Sequence, residues 1–401
     1  MTKNSSFPYY FLMVIILFAN TKRVLVENNL LSLDFTIHLV VIFAVLLLVN
    51  NGFKVKKRMH YFVVTLYAIL TNIQNLLLGR ESSVVVIYMG IILFVFLVLF
   101  DSYGGTDYQI TLLFNFYSIL GLVATIWILY NNLGLLISLA KLEVVQIDVY
   151  ISLIGNKNAD AAFLLFSIMS SFILYKLNYR KMYLIIFGLQ MLAVLLTFSR
   201  GVYLAILVFF IVYYFFYETR IYRKVFATFL FVLFSSALVL YGTLLDFLLD
   251  NFLRIERGLS SRDLLFNLAV DLFKDNIMSG IGYGQWEAYT GYTYIAHNAF
   301  IQTFVDFGLV SGLIHALFYI GVVYSIFISL NRNKRRISDK NKLLLVFSLA
   351  IVLALISYSV FEACYFGGSR GVEINAIIFL TISIMILSNT KKSGGKSRHH
   401  I

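Results

Sequence analysis

The chain has a single proline, Pro8, and a single cysteine, Cys364, in 401 residues. One cysteine cannot close an internal disulfide, so any outer loop must be ordered without one. One proline leaves long helices to run mostly uninterrupted. Charge is scarce as well: 13% of residues are charged, against 60% hydrophobic. A soluble fold needs charged surface on most exposed faces, so this balance excludes an ordinary soluble globule and predicts a polytopic membrane protein. Strict alternation of apolar and polar residues is also missing. The run "VVVIYMGIILFVFLVLF" (84–100) does not alternate, which argues against a transmembrane β-barrel. The expected fold class is all-α, a bundle of transmembrane helices.

Several runs approach or exceed the ~20 apolar residues needed to cross ~30 Å of hydrocarbon. Twelve spans are predicted, near 7–20, 36–50, 60–78, 84–100, 110–130, 161–176, 183–199, 201–217, 225–244, 298–330, 343–362 and 372–389. "FPYYFLMVIILFA" has the length of a signal peptide, but no clear small-residue cleavage site follows, so it reads as the first span. The net charge of +12 gathers in short loops: "KVKKRMH", "YKLNYRKM", "ETRIYRK", "NRNKRRISDKNK" and the tail "KKSGGKSRHH". Under the twelve-span count all five fall on one side, which the positive-inside bias makes cytoplasmic, with both termini. Topology and anionic headgroups account for the positive charge, and nucleic acid is not an expected partner.

Residues 1–401 read as one integral-membrane domain, with 245–297 as an extracytoplasmic loop between spans nine and ten. A second outer segment, 131–160, could hold a re-entrant or surface helix. Within the long loop, "SSRDLLFNLAVDLFKDN" has Leu264, Leu265, Leu268, Leu272 and Phe273 at helical spacing, and Ser260 or Ser261 could cap it. Such an amphipathic helix would lie on the membrane surface or cover a cavity between spans. "SGIGYGQW" then supplies a tight glycine turn before the chain re-enters at His297.

Three ionisable residues stand out at the outer boundary. Arg200, in the hairpin tip Ser199-Arg200-Gly201, faces outward against the charge bias. It reads either as a snorkelling anchor or as an anion ligand. Arg262 opens the loop helix, where a cation opposes the helix dipole yet a phosphate would find free N–H groups and a bidentate fork. Its bland reading is a solvated arginine paired with Asp263 or Glu256; nearby Arg254 and Arg257 are more simply surface charge. His297 meets the mouth of an apolar span beside Asn298. It is either an interfacial imidazole bonded to Asn298 or Tyr294, or a base for a hydroxyl at ordinary pH. His315, inside that span, reads as a packing residue. Glu362 and Arg370, near the last outer turn, read as a structural pair or as a wall of the same cavity.

Metal-binding spacings such as HExxH are missing, and "SYGGTDY" (102–108) has no following Lys-Ser/Thr, so it is no P-loop. No cofactor is expected. A lipid-linked oligosaccharide flippase or other transporter would place charges through the midplane of the spans. A cell-wall glycan polymerase of the shape-and-division type would need an outer carboxylate, a role left to Asp263 or Glu287.

"TFSRGVYLA", "SSRDLLFNLAVDLFKDNIMSGIGYGQW" and "HNAFIQTFVDFGLVSGL" together resemble the O-antigen ligase and Wzy-type polysaccharide polymerase superfamily, over roughly 197–313. Met278-Ser279 stand where that family often has a proline before the glycine turn. The resemblance implies a metal-independent membrane glycosyltransferase that uses an undecaprenyl-diphosphate-linked glycan on the outer face of the cytoplasmic membrane. It implies Arg200 and Arg262 on the diphosphate and His297 as base or acceptor-orienting group; apart from the resemblance, position makes Arg254, Asn298, Glu362 and Arg370 secondary candidates. Its partners would be the lipid-linked oligosaccharide, the growing glycan, membrane lipids, a flippase and a chain-length regulator. The acceptor stays open: another lipid-linked repeat unit for a polymerase, a different acceptor for a ligase. The modest size of chain and loop favours the polymerase, and a capsule or O-antigen repeat is the expected kind of product.

Overall fold

The computed structural model describes residues 7–27, 35–50, 59–77, 97–102 without 99, 106–141, 150–154, 156–217, 260–332 without 294, 338–362 and 371–396. Among these residues there is helix and loop and no strand. The elements are α1 (Phe7–Glu27), α2 (Phe35–Asn50), α3 (Met59–Leu77), α4 (Asp107–Asn131), α5 (Leu133–Ala140), α6 (Lys157–Asn178) and α7 (Lys181–Thr197). They continue as α8 (Arg200–Tyr217), α9 (Ser260–Asp275), α10 (Trp286–Thr290), α11 (Ala299–Arg332), α12 (Asp339–Phe361) and α13 (Gly371–Lys396). Among the described residues six helices are long and apolar enough to cross a membrane, within α4, α6, α8, α11, α12 and α13, and shorter apolar helices lie in α1, α2, α3 and α7. The protein is an all-α integral membrane protein. The spans predicted at 225–244 and over most of 84–100 lie outside the described residues, as do 142–149 and 397–401.

The core is aromatic. Phe166 and Tyr117 each meet Phe379 at 4.9 Å between ring centroids, and Phe114 and Phe209 meet Phe347 at 5.5 and 5.4 Å. These offset and edge contacts join α4, α6, α8, α12 and α13 without polar demand. Among the polar groups of the core, Asn20 and Asn375 exchange amide hydrogen bonds, and the Tyr117 hydroxyl donates to Asn375 at 2.8 Å. Between membrane-spanning helices such pairing satisfies groups that lipid could not.

The two ends of the bundle differ in charge. At one end Lys342 donates to the Tyr217 carbonyl at 3.3 Å and Lys340 pairs with Asp107 at 2.8 Å, near the α6–α7 turn that carries Arg180 and Lys181. At the other end lie the starts of α6, α8 and α11 and the end of α12.

The 34-residue α11 is not one helix. It breaks at Gly308, whose φ of 74° and ψ of −175° lie outside helical values. The span predicted at 298–330 is present, and the break within it has a visible cause. The glycine loop after α9 docks on the break: Ile281 and Gly282 donate to the Val305 and Asp306 carbonyls at 2.8 and 2.9 Å, and Leu309 donates to the Ile277 carbonyl at 2.7 Å. The loop thus satisfies backbone groups that the break frees.

The part of α11 after Gly308 is about 36 Å long at 1.5 Å per residue, enough to cross ~30 Å unaided. Only that part shows an exposed stripe: Val310, Leu313, Leu317, Ile320 and Tyr324. Residues 299–309 are covered by protein. α9 supplies much of that cover. Leu265, Ala269, Leu268, Leu272 and Phe273 pack with Ile281, Trp286 and Val305. Leu264 instead is 45% exposed, so the packed face is narrower than the five-residue pattern predicts.

Gly308→Ala should destabilise the protein by more than Gly284→Ala. Both glycines have positive φ, 74° and 73°. That geometry alone costs an L residue about 1–2 kcal/mol. Only at Gly308 would the new Cβ also overlap the Met278 carbonyl, while nothing lies within 4 Å of one at Gly284. Thermal melting in detergent should give the larger loss for Gly308→Ala; equal losses would show that loop and break are not packed as described.

Candidate functional site

The site forms where four chain segments end together. The α7–α8 turn is so tight that Arg200 is already the first residue of α8 rather than part of the hairpin tip. Phe198 takes a left-handed φ of 51°, and the Ser199 carbonyl accepts from Val202 and Tyr203 at 3.2 and 3.1 Å. Ser199 is 2% exposed, and its hydroxyl has no hydrogen-bond partner among the described residues. An arginine at a helix N-terminus opposes the dipole, so helix stability does not explain Arg200. A Cβ on the next residue, Gly201, would stand 3.3 Å from Phe361 Cβ and 3.7 Å from Glu362 Cγ. The first turn of α8 therefore lies directly on the last turn of α12.

His297 arrives from the other side. Asn298 caps α11, its side chain accepting from Ile301 N–H at 3.0 Å, while Ala296 N–H donates to the Gln302 side chain at 3.3 Å. Holding both contacts forces the residue between them into a tight reversal, and His297 has φ 49°. Left-handed backbone is costly for a residue with a Cβ and persists where its surroundings over-determine it. The Gln302 amide in turn donates to Asp306 at 2.8 Å.

Of the partners the sequence offers, Asn298 accepts from Ile301 N–H and Tyr294 lies outside the described residues; the imidazole faces Glu362. Its Nδ1 is 3.4 Å from Glu362 Oε2, with side-chain exposures of 27% and 14%. The other carboxylate oxygen, Oε1, accepts from Asn158 Nδ2 at 3.2 Å.

Asn158 is held by the outer segment around it. Asp160 accepts from Leu153 and Ile154 N–H at 2.9 and 2.7 Å and from the Tyr150 hydroxyl at 2.9 Å. Burial and the neighbouring Asp160 carboxylate push the Tyr150 phenol above its ordinary range, so it remains a donor. Asn132 pins Ile151 through both amide atoms. The helix expected within 131–160 is short, Leu133–Ala140.

Of the predicted site residues, the structure joins His297, Glu362 and the α8 terminus that carries Arg200. Arg262 lies in the first turn of α9, and its side chain is outside the described residues, as are Arg254 and Arg370. Asn298 is a helix cap. Glu287 is exposed on α10. His315 is buried as a packing residue, its Nδ1 3.3 Å from Thr303 Oγ1 amid the rings of Tyr67, Phe300 and Tyr319. Asn158 was missed: an asparagine in a helix-start pattern carries no signal of a carboxylate 204 positions away. Among the described residues no three His, Cys, Asp or Glu side chains gather as a metal site.

Residues 182–316 match the O-antigen ligase family. The matched segment runs from α7 through α8, α9 and α10 to just past His315, and so contains Arg200, Arg262, His297 and the broken helix. The O-antigen ligase segment is well under half the chain; Asn158 and Glu362 lie outside it. No curated protein matches the chain.

His297→Gly should melt higher than His297→Ala. Both lose the Glu362 contact, but glycine takes the left-handed backbone without strain, a difference of roughly 1 kcal/mol. A lower melting point for the glycine variant would contradict the constrained turn.

Proposed function

We propose that this protein is a membrane glycosyltransferase of the O-antigen ligase and polymerase type. It would transfer a glycan from undecaprenyl diphosphate to the acceptor sugar of another lipid-linked repeat unit, at the outer face of the cytoplasmic membrane. The observation that carries this reading is the meeting of His297, Glu362 and the Arg200-bearing helix start at the bundle end opposite the lysine-rich one, inside or beside the O-antigen ligase segment. The positive-inside bias puts the lysine-rich end in the cytoplasm and the site outside.

The bond from the anomeric carbon to a diphosphate is already activated, so its cleavage calls for charge stabilisation more than for a strong acid. Arg200 and Arg262 each stand at a helix N-terminus, where the positive end of the helix dipole and a guanidinium fork favour a phosphate oxygen. The buried Ser199 hydroxyl adds a donor beside Arg200. The acceptor hydroxyl attacks the anomeric carbon as the bond to the diphosphate oxygen breaks, and that oxygen keeps the electron pair. His297 takes the hydroxyl proton. One displacement inverts the anomeric configuration. The reaction needs no metal in this scheme, because two guanidiniums meet the charge that develops on the leaving group.

The test is reconstitution with a lipid-linked repeat unit and analysis of the products on a ladder gel. A ladder of multiples identifies a polymerase; transfer only to a foreign acceptor identifies a ligase. Lipid translocation without new glycosidic bonds would overturn the enzyme reading. Arg200→Ala, Arg262→Ala and His297→Ala should insert normally and lose chain growth by roughly 100-fold or more. Full activity in any of them removes that residue from the mechanism.

A further inference from the structure

Glu362 lies outside the O-antigen ligase segment, on a separate helix end, and yet it is the side chain on which the site's other parts rest. One oxygen faces the imidazole at 3.4 Å and the other accepts from Asn158 at 3.2 Å. Its Cγ lies against Gly201, next to Arg200. We infer that Glu362 is the positioning residue of His297, holding Nδ1 so that Nε2 is the atom offered to the acceptor hydroxyl, and that Asn158 fixes the carboxylate in turn. This rests on the reading of His297 as the base.

The argument is one of donors and acceptors. An ionised carboxylate can only accept, so a neutral imidazole facing it carries its hydrogen on Nδ1. Nε2 is then a bare lone pair, the form a base requires; the opposite tautomer would present N–H to the hydroxyl and could not take its proton. When Nε2 receives that proton the ring becomes an imidazolium, and the adjacent carboxylate matches its charge while staying ionised. The same division of labour operates in hydrolase triads, where the acid orients and stabilises and does not itself take the proton.

Geometry supports a held group over a chance surface contact. The imidazole hangs from a left-handed residue fixed on both sides, by the Asn298 cap and the Ala296–Gln302 bond. The carboxylate is mostly covered, at 14% exposure, and is fixed through its second oxygen from α6. Three segments distant in sequence are thereby brought together to set one ring.

The full-length protein, labelled with ¹⁵N-histidine and placed in lipid nanodiscs, gives the direct reading. The His297 signal is assigned by its loss in His297→Ala. In the neutral form, wild type should show the Nδ1–H tautomer. An Nε2–H tautomer in wild type would overturn the inference without any variant of Glu362. In Glu362→Gln the amide can donate as well as accept, so the signal should shift to a mixture of tautomers. In the same preparation kcat for lipid-linked repeat units extracted from the host should fall about 100-fold or more, with KM little changed. Glu362→Asp should recover part of the loss, and Asn158→Ala should give a smaller fall of the same kind. If His297→Ala is inactive while Glu362→Gln keeps the wild-type tautomer and kcat, Glu362 is not the positioning residue and the base reading stands. If His297→Ala is fully active, the base reading itself fails.

Discussion

The architecture depends on a short stretch of backbone pairing: the glycine loop at 277–282 against the broken helix at 305–309. Three N–H to carbonyl bonds of 2.7–2.9 Å lock the loop into a gap in a long apolar helix. Backbone broken inside a membrane protein has to find partners within the protein, and here the loop provides them. Because the loop is tied at that point, α9 lies over the first part of α11 and the chain returns in a fixed direction. His297 comes at the end of that return. The glycines at 280 and 308 are required by this close approach: a Cβ on Gly280 would stand 2.6 Å from the Val305 carbonyl oxygen, and one on Gly308 would meet Met278.

That constraint gives the site its chemical character. A histidine at the edge of an apolar helix is costly unless something holds it, and here the holding groups come from parts of the chain that share no local sequence. α12 ends on Glu362, α6 begins near Asn158, and α8 begins at Arg200. Helices that alternate in direction put these ends together and leave Lys340, Lys342 and Tyr217 at the opposite end. The polar groups deeper in α11 serve packing: Gln302 with Asp306, and Thr303 with His315. The residues of the site thus gather at one end of the bundle, while acidic groups such as Asp101, Asp306 and Glu373 lie buried within it.

Much of this was legible in the sequence, and the division follows the range of each signal. Apolar length gave α4, α6, α7 and α8 and the helices from α11 to α13, because burying a span in lipid is a local property of some 20 residues. The SRG and HN elements marked Arg200 and His297 as candidates, Arg200 because a cation at that turn runs against the charge bias. The break in α11 was not legible. "VDFGLVSGL" reads as continuous helix, and only the distant loop that docks there makes the non-helical Gly308 favourable. The same limit hid Asn158 and left Glu362 as one of two readings: a contact between α6, α12 and the start of α11 has no periodicity to betray it. The outer face of α9 was overcounted, because spacing marks Leu264 as apolar without saying that nothing covers it.

The central claim is that a lipid-linked diphosphate sits between the arginine-bearing helix starts with the His297 ring beside the anomeric carbon. The match of 182–316 to the O-antigen ligase family suggests the claim, and the contact of His297 with Glu362 gives it its atoms. Electron cryomicroscopy of the protein in nanodiscs with a bound undecaprenyl-diphosphate-linked sugar tests it most directly. The account predicts diphosphate density between the N-termini of α8 and α9, with the sugar within hydrogen-bond reach of His297 Nε2. Density at the lysine-rich end, or a headgroup far from the ring, would contradict it.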